Sequence, residues 1–71
     1  MKITITDIES EIIEDIEYNR EKRELIISFR KGGTYLYSEV PSLYFIKFIG
    51  ASSCGKFFHR IIKNSFACER L

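Results

Sequence analysis

The chain lacks a net field. Its 71 residues carry 11 Lys and Arg against 10 Asp and Glu, a formal charge of +1, so nothing draws a long polyanion from a distance. A long apolar run is also missing. The longest in the second half, Leu43 to Ile46, falls far short of the roughly 20 residues a membrane helix needs. Met1-Lys2-Ile3-Thr4 lacks the apolar block and small-residue cleavage site of a secretory signal. A cytoplasmic location and no membrane partner are expected. Cysteine and histidine are scarce: Cys54, Cys68 and His59 cannot supply the four ligands of a structural zinc, and no CxxC pair occurs. No metal and no cofactor are therefore expected, and the two thiols should be free in a reducing compartment. Repeats, low-complexity segments and interior linkers are absent as well. One domain over residues 1–71 follows, near the lower limit for a single unstapled core. A hydrophobic content of 45% excludes a disordered chain.

The charge that is present is unevenly placed. Residues 1–40 hold six basic residues against nine acids, net −3, whereas residues 41–71 hold five basic residues against Glu69 alone, net +4. An anion site belongs to the second part.

Periodicity then gives the elements. Ile12, Ile13, Ile16 and Tyr18 mark a first strand, and Asn19 to Arg23 a polar turn. Leu25, Ile27 and Phe29 alternate on a second strand. Lys31-Gly32-Gly33 turns the chain, because glycine reaches positive φ without steric cost. Thr34 to Val40 returns with Tyr35 and Tyr37 on one face. Pro41 suits a helix start, and Ser42 to Ile49 forms a helix that Gly50 ends. Only Ser42 and Lys47 are polar there, so this helix should be buried on several sides, and a partner subunit is its natural cover. Ser52 or Ser53 caps a second helix running to about Lys63. Phe57, Phe58, Ile61 and Ile62 form its inward stripe, and Lys56, Arg60 and Lys63 a basic one. The tail, Asn64 to Leu71, reads as irregular. The expected fold is α+β: a three-stranded antiparallel meander followed by two short helices, β-β-β-α-α. Ile13, Ile26 and Leu36 fall on the sheet's open face in this phasing, where they suggest a subunit interface.

Over residues 12–64 the chain resembles the KTSC domain, a small domain that stands alone or ends some lysyl-tRNA synthetases. The resemblance is carried by Ile13-x-x-Ile16-x-Tyr18, Leu25-x-x-x-Phe29, Gly32-Gly33-x-Tyr35-x-Tyr37 and Val40-Pro41. It continues through Ser52-Ser53-x-Gly55 and Phe57-Phe58-x-Arg60-x-Ile62-Lys63. It implies a β-β-β-α-α domain without established catalysis, and RNA binding is suggested by the synthetase fusions. Glu17 stands where that family usually has glycine, His59 where asparagine is frequent, and Leu36 and Ile46 where polar residues are usual. The last two add apolar surface and favour self-association.

The leading site candidates are Ser52, Ser53, Gly55, Lys56, His59, Arg60 and Lys63. A helix start presents unpaired amides, and basic side chains add charge-assisted hydrogen bonds to phosphate. The plainer reading is that the serines cap, Gly55 shapes the turn and the bases are solvated. Tyr35 and Tyr37 could stack on a base, or they could fill the core beneath two helices. Cys54 beside a helix start should have a lowered pKa, yet Cys54 and His59 lack a third orienting group. No enzyme and no catalytic residue are expected. The expected function is a homo-oligomeric binder of a small phosphate-bearing, nucleotide-like ligand, which it could sequester. RNA binding, along a basic stripe from Lys56 through Lys63 to Arg70, is the first alternative. A protein–protein adaptor is the second.

Overall fold

Alternation of Ile3 and Ile5 starts the sheet earlier than the sequence pattern suggested. The computed structural model describes residues 2–6 and 10–71. Its strands are β1 (Lys2–Ile5), β2 (Ile13–Asn19), β3 (Glu24–Phe29), β4 (Gly33–Tyr37) and β5 (Cys68–Arg70). Every neighbouring pair is antiparallel, in the order β1-β2-β3-β4-β5. The meander thus has five strands, not three, and the tail expected to be irregular supplies one edge. Between β4 and β5 lie α1 (Ser42–Gly50), α2 (Cys54–Phe57) and a wider turn of helix, Phe58–Ile62. No helix among the described residues is long and apolar enough to cross a membrane.

The β2–β3 and β3–β4 hairpins are set by local chemistry. At β2–β3 the Asn19 Oδ1 accepts from the Glu21 and Lys22 amides at 3.0 and 3.1 Å, an Asx turn. At β3–β4 Gly33 takes φ +88°, a region that favours glycine. A Cβ there would also stand 3.0 Å from the Arg70 guanidinium.

The helical layer covers one face of the sheet. Register places Ile3, Tyr18, Leu25 and Tyr37 in one cross-strand row, and Ile5, Ile16, Ile27 and Tyr35 in the next. Tyr18, Leu25, Ile16 and Ile27 are fully buried beneath Phe45 and Phe48 of α1 and Phe58 and Ile62 of the wider turn. Ile13 belongs to this core too, at 0% exposure, and not to the open face where simple alternation puts it. The reason is a bulge between Ile13 and Asp15, where the pairing slips from Phe29 to Ser28. An inserted residue reverses the side-chain phase on one side of the slip. Ile26 and Leu36 do pair on the opposite face, half-buried, between Glu17 and Glu69.

Pro41 sits one residue ahead of its expected place. It is the extended residue before α1, with φ −62° and ψ 147°. On α1 the inward residues are Phe45 and Phe48, while Leu43, Ile46 and Ile49 are 55%, 59% and 39% exposed. The apolar outer face expected of this helix is therefore open in the single chain.

Candidate functional site

Ser10 begins the construction of the site, although sequence pattern gives it no prominence. Its Oγ accepts from the Ile12 and Ile13 amides, both at 3.2 Å. Its carbonyl accepts from the Arg30 Nε at 2.9 Å, and the Ile12 carbonyl accepts from the Arg30 amide at 2.9 Å. This strap ties the approach to β2 against the end of β3. It also aims Ile12 at α2: a Cβ on Gly55 would meet the Ile12 Cδ1 at 3.2 Å. The space that glycine leaves is filled by an isoleucine, so Gly55 here permits a tight packing contact.

Ser53 is the cap of α2. Its Oγ accepts from the Lys56 amide at 3.3 Å and its carbonyl from the Phe57 amide at 3.1 Å. Those two donors are consumed, and the basic side chains add the charge that attracts an anion at this end. Two depressions flank the turn. One, of about 310 Å³, is lined by Ala51, Ser52, Ser53, Lys56, Phe57, Arg60 and Ile61. The other, of about 380 Å³, shares Ser52, Ser53 and Lys56 and adds Ser10, Glu11, Ile12, Cys54, Gly55 and His59. A third, of about 280 Å³, adjoins the second along Glu11, Ile12 and His59 and reaches Phe29, Lys31 and Gly32.

Six of the expected site residues gather here: Ser52, Ser53, Gly55, Lys56, His59 and Arg60. Lys63 lines none of the three depressions. Its amide donates to the Phe58 carbonyl five residues back, at 2.9 Å, and a turn widened in this way breaks the regular spacing of a basic stripe. Tyr35 and Tyr37 are elsewhere, because their strand face is the one the helices cover. Tyr37 is 4% exposed and edge-on to Phe58 at 5.7 Å. Tyr35 is edge-on to Phe29 at 5.9 Å and lies beneath the Arg70 guanidinium at 5.8 Å. Ile61, expected to point inward, is 37% exposed and lines the first depression. Ser10, Glu11, Ile12, Lys31 and Gly32 join the groove through the fold alone, with no local motif to announce them.

The thiol chemistry differs from expectation. Cys54 Sγ donates to the Phe48 carbonyl at 3.4 Å, and burial pushes its pKa up instead of down. Both cysteines are free. Glu11 and His59 share two depressions. Among the described residues, however, no three His, Cys, Asp or Glu side chains gather as a metal site would require.

Tyr37 gives a test of the core beneath this site. Burial, with the hydrogen-bonded Cys68 thiol adding to it, pushes its phenol from 10.0 up to about 12. The folded state therefore holds the proton more tightly than the unfolded chain. Its contribution is fully present below pH 10 and is lost as pH rises through about 12. Alkaline denaturation followed by circular dichroism should show stability falling in that window. The corresponding slope should be shallower in Tyr37→Phe; an identical slope in the two proteins would contradict a buried phenol.

A five-stranded antiparallel meander with its helices packed on one face defines a small α+β domain. The family model of the KTSC domain matches residues 9–66, and the chain belongs to that family. A crystal structure of a KTSC domain protein from Yersinia pestis superposes with a TM-score of 0.93 at 35% identity, covering 100% of this chain and 99% of the other. A protein of Tsukamurella paurometabola is 39% identical over 64 residues, spanning 90% of this chain and 96% of its own length.

Proposed function

We propose that this protein is a non-catalytic binder of a small phosphate-bearing ligand, held as a homo-oligomer and so able to sequester it. One observation carries the reading: Lys56 and both serines open onto two adjoining depressions of small-molecule size, the first of which Arg60 also lines. Exposed cations beside hydroxyl donors suit a compact anion. The fit to a long polyanion is poorer. Lys63 is off the groove, and Arg70 stacks on Tyr35 in the sheet, so the stripe an RNA strand would follow is interrupted. Oligomerisation is supported by Leu43, Ile46 and Ile49, spaced to lie on one side of α1 and open to solvent.

The experiment is titration calorimetry with AMP at low salt, alongside light scattering of the eluting protein. The Lys56→Ala/Arg60→Ala variant should bind about 10–100-fold more weakly, the loss of two charge-assisted contacts. Both side chains are exposed, so the melting temperature should barely change. Unaltered affinity would sink the site. Binding of random RNA that falls steeply with salt would favour the RNA reading, and a strict monomer would remove the oligomer.

A further inference from the structure

Three depressions adjoin in turn, the first and second through Ser52, Ser53 and Lys56 and the second and third through Glu11, Ile12 and His59, and the two ends of this groove-like row differ in chemistry. The end at Ser52, Ser53, Lys56 and Arg60 is cationic and hydroxyl-rich. The other end is lined by Ile12, the half-buried Phe29, Gly32 and Lys31. Glu11 and His59 stand where the two meet. A second phosphate is a poor occupant of the far end, because the Glu11 carboxylate repels it and Lys31 is the one opposing Lys or Arg among the described residues lining that depression. A flat, uncharged ring suits the same space: Ile12, Phe29 and Gly32 offer it apolar contact. The Glu11 carboxylate is a hydrogen-bond acceptor, so it pairs with an amino group on such a ring.

From this we infer that the groove takes a nucleoside monophosphate carrying an exocyclic amine. Its phosphate sits at Lys56 and Arg60, and its base lies over Ile12 and Phe29 with the amine toward Glu11. Nothing in the sequence motifs assigns Glu11, Ile12, Phe29, Lys31 or Gly32 to a site; they are together because the Ser10 strap seats Ile12 on Gly55. The inference rests on the phosphate reading above and adds a base subsite to it.

Titrations with AMP, purine riboside 5′-phosphate and ribose 5-phosphate, monitored by amide chemical shifts, separate the two ideas. AMP should bind about tenfold or more tighter than ribose 5-phosphate, the order expected for one well-seated base. Ribose 5-phosphate should leave the Lys31 and Gly32 amides unmoved where AMP shifts them, whereas both of these ligands should move those of Lys56 and Arg60. AMP should also outbind purine riboside 5′-phosphate, the same ligand without the amine, and Glu11→Ala should remove that preference. Glu11 is exposed, so this variant should keep the fold. Equal affinity for AMP and ribose 5-phosphate would overturn the base subsite and leave the phosphate site standing. Failure of all three to bind would overturn both.

Discussion

Phe48→Ala should leave the chain barely folded at 25 °C. Phe48 has no exposed surface and joins α1 to α2 through a stacked contact with Phe57, at 5.9 Å and 27°. Truncating such a ring removes about 3–5 kcal/mol, because lost transfer energy and an uncollapsed cavity add together. At the usual scale per residue, a chain of this length has about 4–10 kcal/mol in total. One truncation therefore takes away about a third of the stability at the least and, at the lower end of that range, all of it. In urea the midpoint should fall sharply with little change in slope. Phe48→Leu, which keeps most of the volume, should lose about 1.5 kcal/mol or less. Ile46→Ala is the control on the same helix: Ile46 is 59% exposed, and its truncation should stay within about 0.5 kcal/mol in the monomer. A small shift for Phe48→Ala would mean that α1 does not pack on the sheet.

That contrast between Phe48 and Ile46 was only partly visible in the sequence. The run Leu43 to Ile49 shows a helix too apolar for solvent, but not which side the sheet takes. β3 and β4 were legible because Leu25, Ile27 and Phe29 alternate and two glycines follow. β1 has the same alternation at Ile3 and Ile5, yet over four residues it falls below what a pattern can separate from chance. β5 was not legible at all: Cys68, Glu69 and Arg70 are all exposed, and backbone pairing to β4 defines the strand without any hydrophobic signal. Simple alternation misplaces Ile13, because a bulge leaves no trace in composition. In the groove, Ser53 with Lys56 and Arg60 follows from capping and helical spacing. The Ile12–Gly55 contact joins residues 43 positions apart in the sequence, and no local rule reaches that far.

Tyr18→Phe should lower stability by about 1–3 kcal/mol, although it deletes a single oxygen. The Tyr18 hydroxyl donates to the Val40 carbonyl at 2.6 Å; both residues are fully buried. The ring itself stacks on Phe45 at 4.5 Å and 9°, so phenylalanine preserves the packing and isolates the hydrogen bond. What that bond holds is the passage from β4 to α1. Glu39 there adopts φ 57°, and Val40 is tied on its other side by its amide donating to the Arg23 carbonyl at 2.9 Å. Without the hydroxyl, a buried carbonyl loses this donor, and the passage can relieve the loss only by admitting water or shifting α1. The melting temperature should fall by roughly 4–8 °C for each kcal/mol lost. Hydrogen exchange should accelerate at the Val40 and Tyr44 amides before it does in β3. The order of those effects matters, since a uniform rise across the sheet would indicate global destabilisation alone. An unchanged melting temperature would show that the Val40 carbonyl finds another donor and that this bond does not anchor α1.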